Sequence, residues 1–392
     1  MLYLLPHLVG YRAGGGDNSY APIVGLGHLD LYTDFTQGSL TGNKGGAWSL
    51  TRATATTGLD LNGLVTTVAS GDPRWWRIGA GSGAVGISVF GAHTNILLHN
   101  RDQTNAAWVK GATMTAAKDQ TGADGSANGA SSLTGGAVTA TNTALQTVVS
   151  ASAARYATAW VKRLVGTGTI EMTTDGGTSW IDVTSQISAS YAQITIPVQT
   201  VTNPITGFRI TTSTDAIAVD YVMNTAVAAA PAIATTTAAV TVNADAITLS
   251  GAGIINATEG TLWVEAVGPV ATVDDALFSL DDGTTNELIT LQVFTANARL
   301  AILDGGSTVA SPAGGATSAG TVFKMAGRYR LNDSNVSKDG VAGTTDTSCT
   351  MPTTTTIRAG AHPSSTANTV IKRVAYARTG ASDANLAVAT TP

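Results

Sequence analysis

The sequence predicts an all-β protein in which an N-terminal segment is followed by two β-sandwiches. Thr and Val are abundant, and Gly, Asn and Asp separate the runs, which is typical of short strands joined by turns. Charged residues make up only 12% of the chain, against ~25% in an average soluble domain. That composition argues against long helices and coiled coils, which are rich in Glu, Lys, Leu and Arg. The strand pattern also falls into two blocks, so we expect two sandwiches.

The first block of predicted strands lies between residues 155 and 223. Residues 155–164 alternate in part between two faces, and so do residues 191–201. Two runs on either side of Asp175-Gly176-Gly177 predict a hairpin, because Asp and Gly favour tight turns. Residues 208–223 are long enough for two more short strands.

A change of composition separates this block from the next. Residues 226–241 carry no charge and few large side chains, which is typical of a linker or an extended crossing segment. We therefore divide the chain into an extended, β-rich N-terminal region, a first sandwich, a connector and a second sandwich. Their predicted bounds are 1–97, 98–230, 231–250 and 251–392.

The second block repeats the strand pattern. Residues 276–294 predict a hairpin across Asp281-Asp282-Gly283, and residues 369–377 predict a last, central strand. Ser382 and Asp383 can cap a short helix that runs through Ala389. Further strands are predicted at residues 260–267, 299–303, 322–331 and 356–360.

Charge and cysteine content exclude several classes of function. The net charge is −5 and no basic block exists, which disfavours nucleic acids and anionic membranes as partners. No apolar run reaches the ~18 residues of a membrane-spanning helix. Cys349 is the single cysteine, so neither an internal disulfide nor a cysteine-based metal site is expected. Residues 1–10 are apolar but lack a basic start and a cleavage site, so we expect them to pack on this chain or on a partner.

Motifs that carry chemistry are weak in this sequence. Residues 81–86 match G-x-G-x-x-G, but no βαβ unit surrounds them, so no nucleotide site is predicted. The five histidines form no helical metal-binding pair, and no nucleophile elbow accompanies a serine. A Ser-His-Asp triad would require three distant residues to meet in space. Paired acids such as Asp281 and Asp282 can serve glycoside hydrolysis or bind calcium, but a hairpin turn accounts for both. The sequence thus predicts no enzyme, no cofactor and no metal.

Tryptophan is the residue type through which this chain could bind a ligand. Trp faces stack on sugar rings when exposed and fill cores when buried, and large apolar residues are scarce here. Core packing is therefore the default for Trp75, Trp76 and the other indoles. If a carbohydrate site exists, we expect Trp108, Trp160 and Trp180 of the first sandwich to form it.

Several segments, taken in order, resemble a mosaic of virion proteins in tailed bacteriophages and prophages. Asn105-Ala106-Ala107-Trp108 followed by Lys110 is similar to the opening of a jelly roll related to carbohydrate-binding modules. The N-terminal segments that resemble this family are LDLYTDFTQGSL (29–40), LTRATATTGLDLNGLV (50–65), DPR (72–74) and GAHTNILL (91–98).

The resemblance continues into the second block. Residues 231–246 resemble the family's connector, and residues 256–265 and 278–286 resemble the start of a concanavalin-like, laminin-G-type sandwich. Residues 331–351 and 371–389 resemble its later segments, with Cys349 where glycine is common. Trp75-Trp76 departs from the usual Phe-Asp, and residues 77–89 are unusually rich in glycine.

This resemblance implies a structural component of a tailed-phage virion: a tail fibre, a head fibre or a capsid decoration protein. It would be made in the host cytoplasm and displayed on the virion surface, where a homotrimer is a common arrangement. The implied partners are capsid, portal, tail or baseplate proteins, together with host-surface polysaccharide. The apolar N-terminal residues expected to dock on the virion are Leu2, Tyr3, Leu4, Leu5, Leu8, Val9 and Tyr11.

Two alternatives belong to other classes. The first is a glycan-degrading tailspike enzyme, which needs an acid pair in a groove. The second is a secreted bacterial lectin or adhesin, which needs an export signal. We rank both below the virion protein.

Overall fold

The computed structural model describes residues 23–77, 85–269 and 274–392, and the all-β prediction is confirmed. The strands pair antiparallel throughout the described ladders, and they build two β-sandwiches with separate apolar cores. In the described part of the chain there is one α-helix, α1 (Asp383–Thr390), which follows the last strand. Within the described residues, no helix combines the length and the apolar character required to cross a bilayer.

The strands fall into three groups along the chain. Those before residue 97 are β1 (Leu31–Asp34), β2 (Ser49–Thr51), β3 (Thr56–Leu59), β4 (Val65–Val68), β5 (Trp75–Trp76), β6 (Gly86–Val89) and β7 (His93–Asn95). Those of the middle are β8 (Val109–Lys110), β9 (Thr115–Gln120), β10 (Ala130–Thr134), β11 (Thr143–Thr147), β12 (Ala153–Val165), β13 (Ile170–Thr173), β14 (Ile181–Asp182), β15 (Ala192–Thr195), β16 (Gln199–Val201), β17 (Ile205–Ile210) and β18 (Ala216–Thr225).

The third group follows the connector. It comprises β19 (Val240–Val242), β20 (Ala246–Ser250), β21 (Glu259–Val267), β22 (Asp275–Asp281), β23 (Leu288–Phe294), β24 (Asn297–Asp304), β25 (Ser307–Ala310), β26 (Ala313–Ala316), β27 (Val322–Arg330), β28 (Asn335–Lys338), β29 (Val341–Ala342), β30 (Thr356–Ala359), β31 (Ala361–His362), β32 (Ser365–Thr366) and β33 (Thr369–Ala377). Three 3₁₀ turns, Phe35–Gln37, Thr139–Thr141 and Thr184–Gln186, complete the inventory.

The first of the two sandwiches, called the middle sandwich below, is formed by one continuous stretch of chain, residues 109–225. One sheet has the order β15-β12-β18-β10-β9 and the facing sheet has the order β14-β13-β17-β11-β8. Alternation along β12 sends Ala157, Ala159 and Val161 into the core between the sheets. Trp108, Phe208 and Met172 fill the same core, each fully buried. The predicted hairpin at residues 175–177 is confirmed by the β13–β14 pairing.

The second sandwich, called the large sandwich below, contains strands from both ends of the described chain. One sheet has the order β29-β28-β27-β21-β33-β6-β5, and β1 pairs with β33. The facing sheet has the order β2-β20-β30-β22-β23-β24-β25. Strands before residue 90 therefore complete a sandwich whose other strands follow residue 245. Among the described residues, β1, β2 and β6 pair directly with strands that follow residue 245.

Two further features link the parts. The β3–β4 hairpin lies against the middle sandwich, where Val65 packs with Ala123 and Tyr221 and its N–H donates to the Ala123 carbonyl at 2.9 Å. Helix α1 begins at the predicted cap, because Ser382 accepts from the Asn385 N–H. The helix packs on the large sandwich through Leu386, and the Trp263 indole N–H donates to the Ala389 carbonyl at 2.8 Å.

Candidate functional site

A cleft of about 520 Å³ lies along the seam between the β3–β5 segment, the middle sandwich and the connector. Its walls carry five aromatic residues from three parts of the chain: Trp75, Trp76, Phe90, Trp160 and Tyr191. Such a concentration is notable in a protein with only 6% aromatic residues. The cleft is therefore the main candidate site of the described structure.

The middle sandwich supplies one wall through its outer surface. Because Ala159 and Val161 point into the core, Trp160 between them projects to the opposite face of β12. Tyr191 precedes β15, which pairs with β12, and its hydroxyl donates to the Thr121 carbonyl at 2.8 Å. The Lys162 ammonium lies 4.7 Å from the centre of the Tyr191 ring. These contacts hold the tyrosine ring beside the indole.

The opposite wall comes from β5, an edge strand paired with β6. Trp75 packs partly against the core of the large sandwich. The next residue, Trp76, points to the other side of the strand and is 38% exposed. Consecutive tryptophans on a two-residue strand thus serve two purposes: one anchors the strand and the other offers its ring to solvent.

Hydrogen bonds fix the connector beside the cleft. The Thr57 hydroxyl donates to the Ala232 carbonyl, and the Gln193 side-chain amide donates to the Ala230 carbonyl, each at 2.7 Å. Both donors line the cleft. Thr57 of β3 and Gln193 of β15 thus bond the connector backbone from the two walls of the cleft. These two bonds hold the walls at a defined separation.

A buried ion cluster lies behind the β5 wall. Asp245 accepts from Arg52 at 2.7 Å, from Arg74 at 2.5 Å and from the Phe90 backbone N–H at 2.9 Å. Burial lowers the pKa of Arg74 to about 10, while the Asp245 carboxylate opposes that shift. Arg74 also lines the cleft, and it shares the single negative charge of Asp245 with Arg52. This cluster connects the N-terminal strands to the connector.

A second ion cluster lies in the middle sandwich. Arg101 bonds Asp124 at 2.8 Å and Asp220 at 2.7 Å, and its guanidinium lies 4.2 Å from the centre of the Tyr221 ring. Tyr221 is one of the residues on which the β3–β4 hairpin rests. Although partial burial opposes it, hydrogen bonds from Arg101 and Ser126 hold the pKa of Asp124 well below its usual range.

The three tryptophans expected at a carbohydrate site lie in different environments. Trp160 lines the cleft. Trp108 is 1% exposed, and its indole N–H donates to the His99 carbonyl at 3.1 Å. The expectation for Trp108 is corrected, because a ring enclosed in the core has no free face for a sugar. Trp180 lies outside the cleft and is covered by the Arg209 guanidinium, 4.5 Å from its ring centre.

Other sequence expectations can be placed as well. Asp281 is buried and accepts two bonds from Arg358, at 2.7 and 3.1 Å, and its carboxylate also accepts from the Gly283 N–H at 2.8 Å. The hairpin interpretation of that segment is confirmed by the β22–β23 pairing. In the ranges that the structure describes, no three His, Cys, Asp or Glu side chains are grouped to hold a metal. The expected docking residues lie outside those ranges: Leu2, Tyr3, Leu4, Leu5, Leu8, Val9 and Tyr11.

Sequence reasoning did not identify the cleft as a whole. Trp75 and Trp76 were noted as unusual for the resembled family, and Trp160 as a sugar-contact candidate. Tyr191 was seen only as part of an alternating strand. The available signal was the double tryptophan, because two large aromatics on one short edge strand cannot share a single buried face.

The chain is similar in structure to several solved proteins, each over about a third of its length. One is the CBM40 of the Ruminococcus gnavus IT-sialidase bound to α2,3-sialyllactose, at 15% identity, 36% of this chain, 86% of that chain and a TM-score of 0.32. Another is domain 4 of AbnA, a GH43 extracellular arabinanase from Geobacillus stearothermophilus, in complex with arabinotriose. The identity is 14%, the match covers 37% of this chain and 73% of that chain, and the TM-score is 0.32. A third is the leech intramolecular trans-sialidase complexed with 2,7-anhydro-Neu5Ac. The identity is 14%, the match covers 34% of this chain and 23% of that chain, and the TM-score is 0.28. No family model and no curated protein matches the chain.

Proposed function

We propose that this chain is a structural protein of a tailed-phage virion that binds host-surface glycan in the aromatic cleft without cleaving it. The observation that carries the binding part is the convergence of Trp76, Trp160 and Tyr191 on one cavity. Ligand sites in proteins are typically concavities of ≈ 300–1,000 Å³ with apolar and aromatic walls and a few polar groups. A cleft of about 520 Å³ with Thr57 and Gln193 among its lining fits that description.

The lining of this cleft suits a saccharide. The apolar face of a pyranose ring can stack on an indole, while its hydroxyls bond amide and hydroxyl side chains. Arg74 lies against the Asp245 carboxylate, which it shares with Arg52. Two aromatic walls on separate parts of the chain would hold a saccharide between them, with Trp160 and Tyr191 on one side and Trp76 on the other.

The virion placement rests on the order of sequence segments that resemble phage proteins. In this proposal the chain is a tail fibre, head fibre or capsid decoration protein and assembles as a homotrimer. Residues 1–26 attach it to capsid, portal, tail or baseplate proteins. Electron cryomicroscopy of the particle tests the placement: density on the shell or the tail supports it, and absence of the chain from the particle contradicts it.

The binding proposal is tested by substitution of single indoles. Trp160→Ala should weaken binding of host-surface polysaccharide roughly 3- to 10-fold, because an aromatic contact contributes about 0.5–1.5 kcal/mol beyond area burial. Trp180→Ala is the matched control, since that indole lies outside the cleft. Calorimetry on both variants measures the change. Equal affinity of Trp160→Ala and the unmodified protein would remove the cleft as the binding site.

A further inference from the structure

A second cavity, of about 510 Å³, lies where the β31–β32 hairpin meets the connector. Its lining includes Asp274, His362 and Ser364, whose side chains form a hydrogen-bonded series. Nucleophilic chemistry of the Ser-His-Asp type requires a serine, a histidine and an acid to meet in space. Here they meet, and they do so away from the aromatic cleft.

The geometry of the series is directional. His362 Nε2 lies 3.1 Å from Asp274 Oδ2, and His362 Nδ1 lies 3.4 Å from Ser364 Oγ. The Ser364 backbone N–H also donates to Nδ1, at 3.3 Å. Because an N–H can donate only to an unprotonated ring nitrogen, this bond assigns the imidazole proton to Nε2, beside the Asp274 carboxylate. The lone pair of Nδ1 then faces Ser364.

The local fold explains why the serine is accessible and the histidine is not. β31 and β32 pair His362 with Ser365, which leaves Pro363 and Ser364 as a two-residue turn. The His362 side chain is 4% exposed, whereas Ser364 lies on the exposed tip. Ser365 donates to the Asp274 carbonyl at 2.6 Å and so ties the hairpin to the strand that carries the acid.

We propose that Ser364 is a nucleophile for acyl esters, with His362 as its general base and Asp274 as the residue that positions the imidazole. Ser364 Oγ forms a bond to the ester carbonyl carbon, and its proton passes to His362 Nδ1. The ester C–O bond breaks, and the leaving alcohol takes the proton from Nδ1. Water then attacks the acyl-serine, gives one proton to Nδ1 and releases the carboxylic acid as Ser364 regains its proton.

The cavity walls select the class of ester. Asn368, Thr366 and Ser365 contribute polar side chains, and the apolar lining is limited to small residues such as Ala361 and Val227. Arg358 and Asp245 also line the cavity, and each is already paired, Arg358 with Asp281 and Asp245 with Arg52 and Arg74. A short acyl group on a polar, hydroxyl-bearing alcohol suits this lining, whereas a long aliphatic chain does not. The site would act independently of glycan binding in the aromatic cleft.

The test is covalent labelling of the full-length protein with a fluorophosphonate, followed by peptide mapping. Ser364 should be labelled at least 10-fold faster than other exposed serines. Ser364→Ala should abolish that label, and His362→Gln should slow labelling of Ser364 at least 10-fold. Ser185→Ala, an exposed serine of the middle sandwich, is the control and should leave it unchanged.

Turnover gives a second readout. The protein should hydrolyse 4-nitrophenyl acetate faster than the palmitate ester, and Ser364→Ala should lose the acetate activity while its thermal unfolding stays the same. Asp274→Asn should lower the labelling rate, with part of it restored in Asp274→Glu. Absence of label at Ser364, or labelling that does not depend on His362, would overturn the proposal.

Discussion

At the scale of single residues, the Asp245 carboxylate joins three earlier points of the chain. It is buried with Arg52 and Arg74 and receives a backbone N–H as well. Asp245→Asn keeps the shape but leaves two buried guanidinium groups without a counter-charge. Breaking a buried ion pair in this way costs about 3–5 kcal/mol, so we expect that loss in the free energy of unfolding.

Urea denaturation measures this loss. Asp282→Asn serves as the matched control, because Asp282 is exposed at a hairpin turn and its substitution should change stability by less than about 0.5 kcal/mol. A loss for Asp245→Asn no larger than that of the control would mean that the cluster does not hold the N-terminal strands to the connector.

Asp124 gives a prediction about acid pH. Its pKa is lower in the folded protein than in the unfolded chain, so its contribution to stability is complete above the unfolded value, about 4, and is lost as the pH falls through the lower folded value. Asp124→Asn should therefore flatten the decline of stability below about pH 4. Thermal unfolding midpoints of the unmodified protein and of Asp124→Asn, measured in a series of buffers between pH 6 and pH 2, give the difference. Parallel curves would contradict the assignment.

Residue-level prediction succeeded where the pattern was local. Alternation placed Trp160 on the same face of its strand as Thr158 and Lys162, and Ala157, Ala159 and Val161 on the other. The alternation along β12 does not show which of its two faces a distant segment of the chain covers. The β3–β4 hairpin, about a hundred residues earlier in the chain, decides that Trp160 borders a cleft. Trp108 was misjudged because no local pattern distinguishes a core indole from an exposed one.

At the scale of elements, Leu386 is the large apolar side chain through which helix α1 packs. Leu386 is fully buried against the large sandwich, while Val388 on the same helix is 45% exposed. Leu386→Ala should destabilise the large sandwich by about 2–5 kcal/mol, since it removes buried methyl groups and leaves a cavity. Val388→Ala should cost less than about 0.5 kcal/mol. Thermal unfolding of both variants checks the contrast, and equal shifts would contradict the described packing of the helix.

Hairpins and caps were predictable because their residues are neighbours in sequence. The Asp-Gly turns at residues 175–177 and 281–283 and the Ser382 cap are examples. The pairing of β1 and β6 with β33 was not, because it joins residues near 31 and 87 to residues near 371. Side-chain periodicity describes only neighbours in sequence. It therefore carries no signal for the pairing of strands that are separated by a whole sandwich.

At the scale of the whole molecule, the strand order predicts which pieces of the chain fold alone. Residues 95–235 contain both sheets of the middle sandwich and its core. This fragment should be soluble and unfold in one cooperative transition. Residues 251–392 lack β1, β2, β5, β6 and β20, which leaves an open edge of β33 and uncovered apolar residues such as Ile371. Circular dichroism and thermal melts of both fragments test this; a cooperative melt of residues 251–392 would contradict it.

The order of strands in the large sandwich also governs the order of events during synthesis. β1 and β6 leave the ribosome early, but their partner β33 is made some 280 residues later than β6. The middle sandwich lies wholly between them and can fold while translation continues. Until then β1 and β6 lack their pairing with β33, and Ile87 and Val89 are uncovered. A nascent chain from which the middle sandwich has just emerged would thus carry one finished sandwich beside an unfinished edge, and it is in that interval that chaperones would have the most to bind.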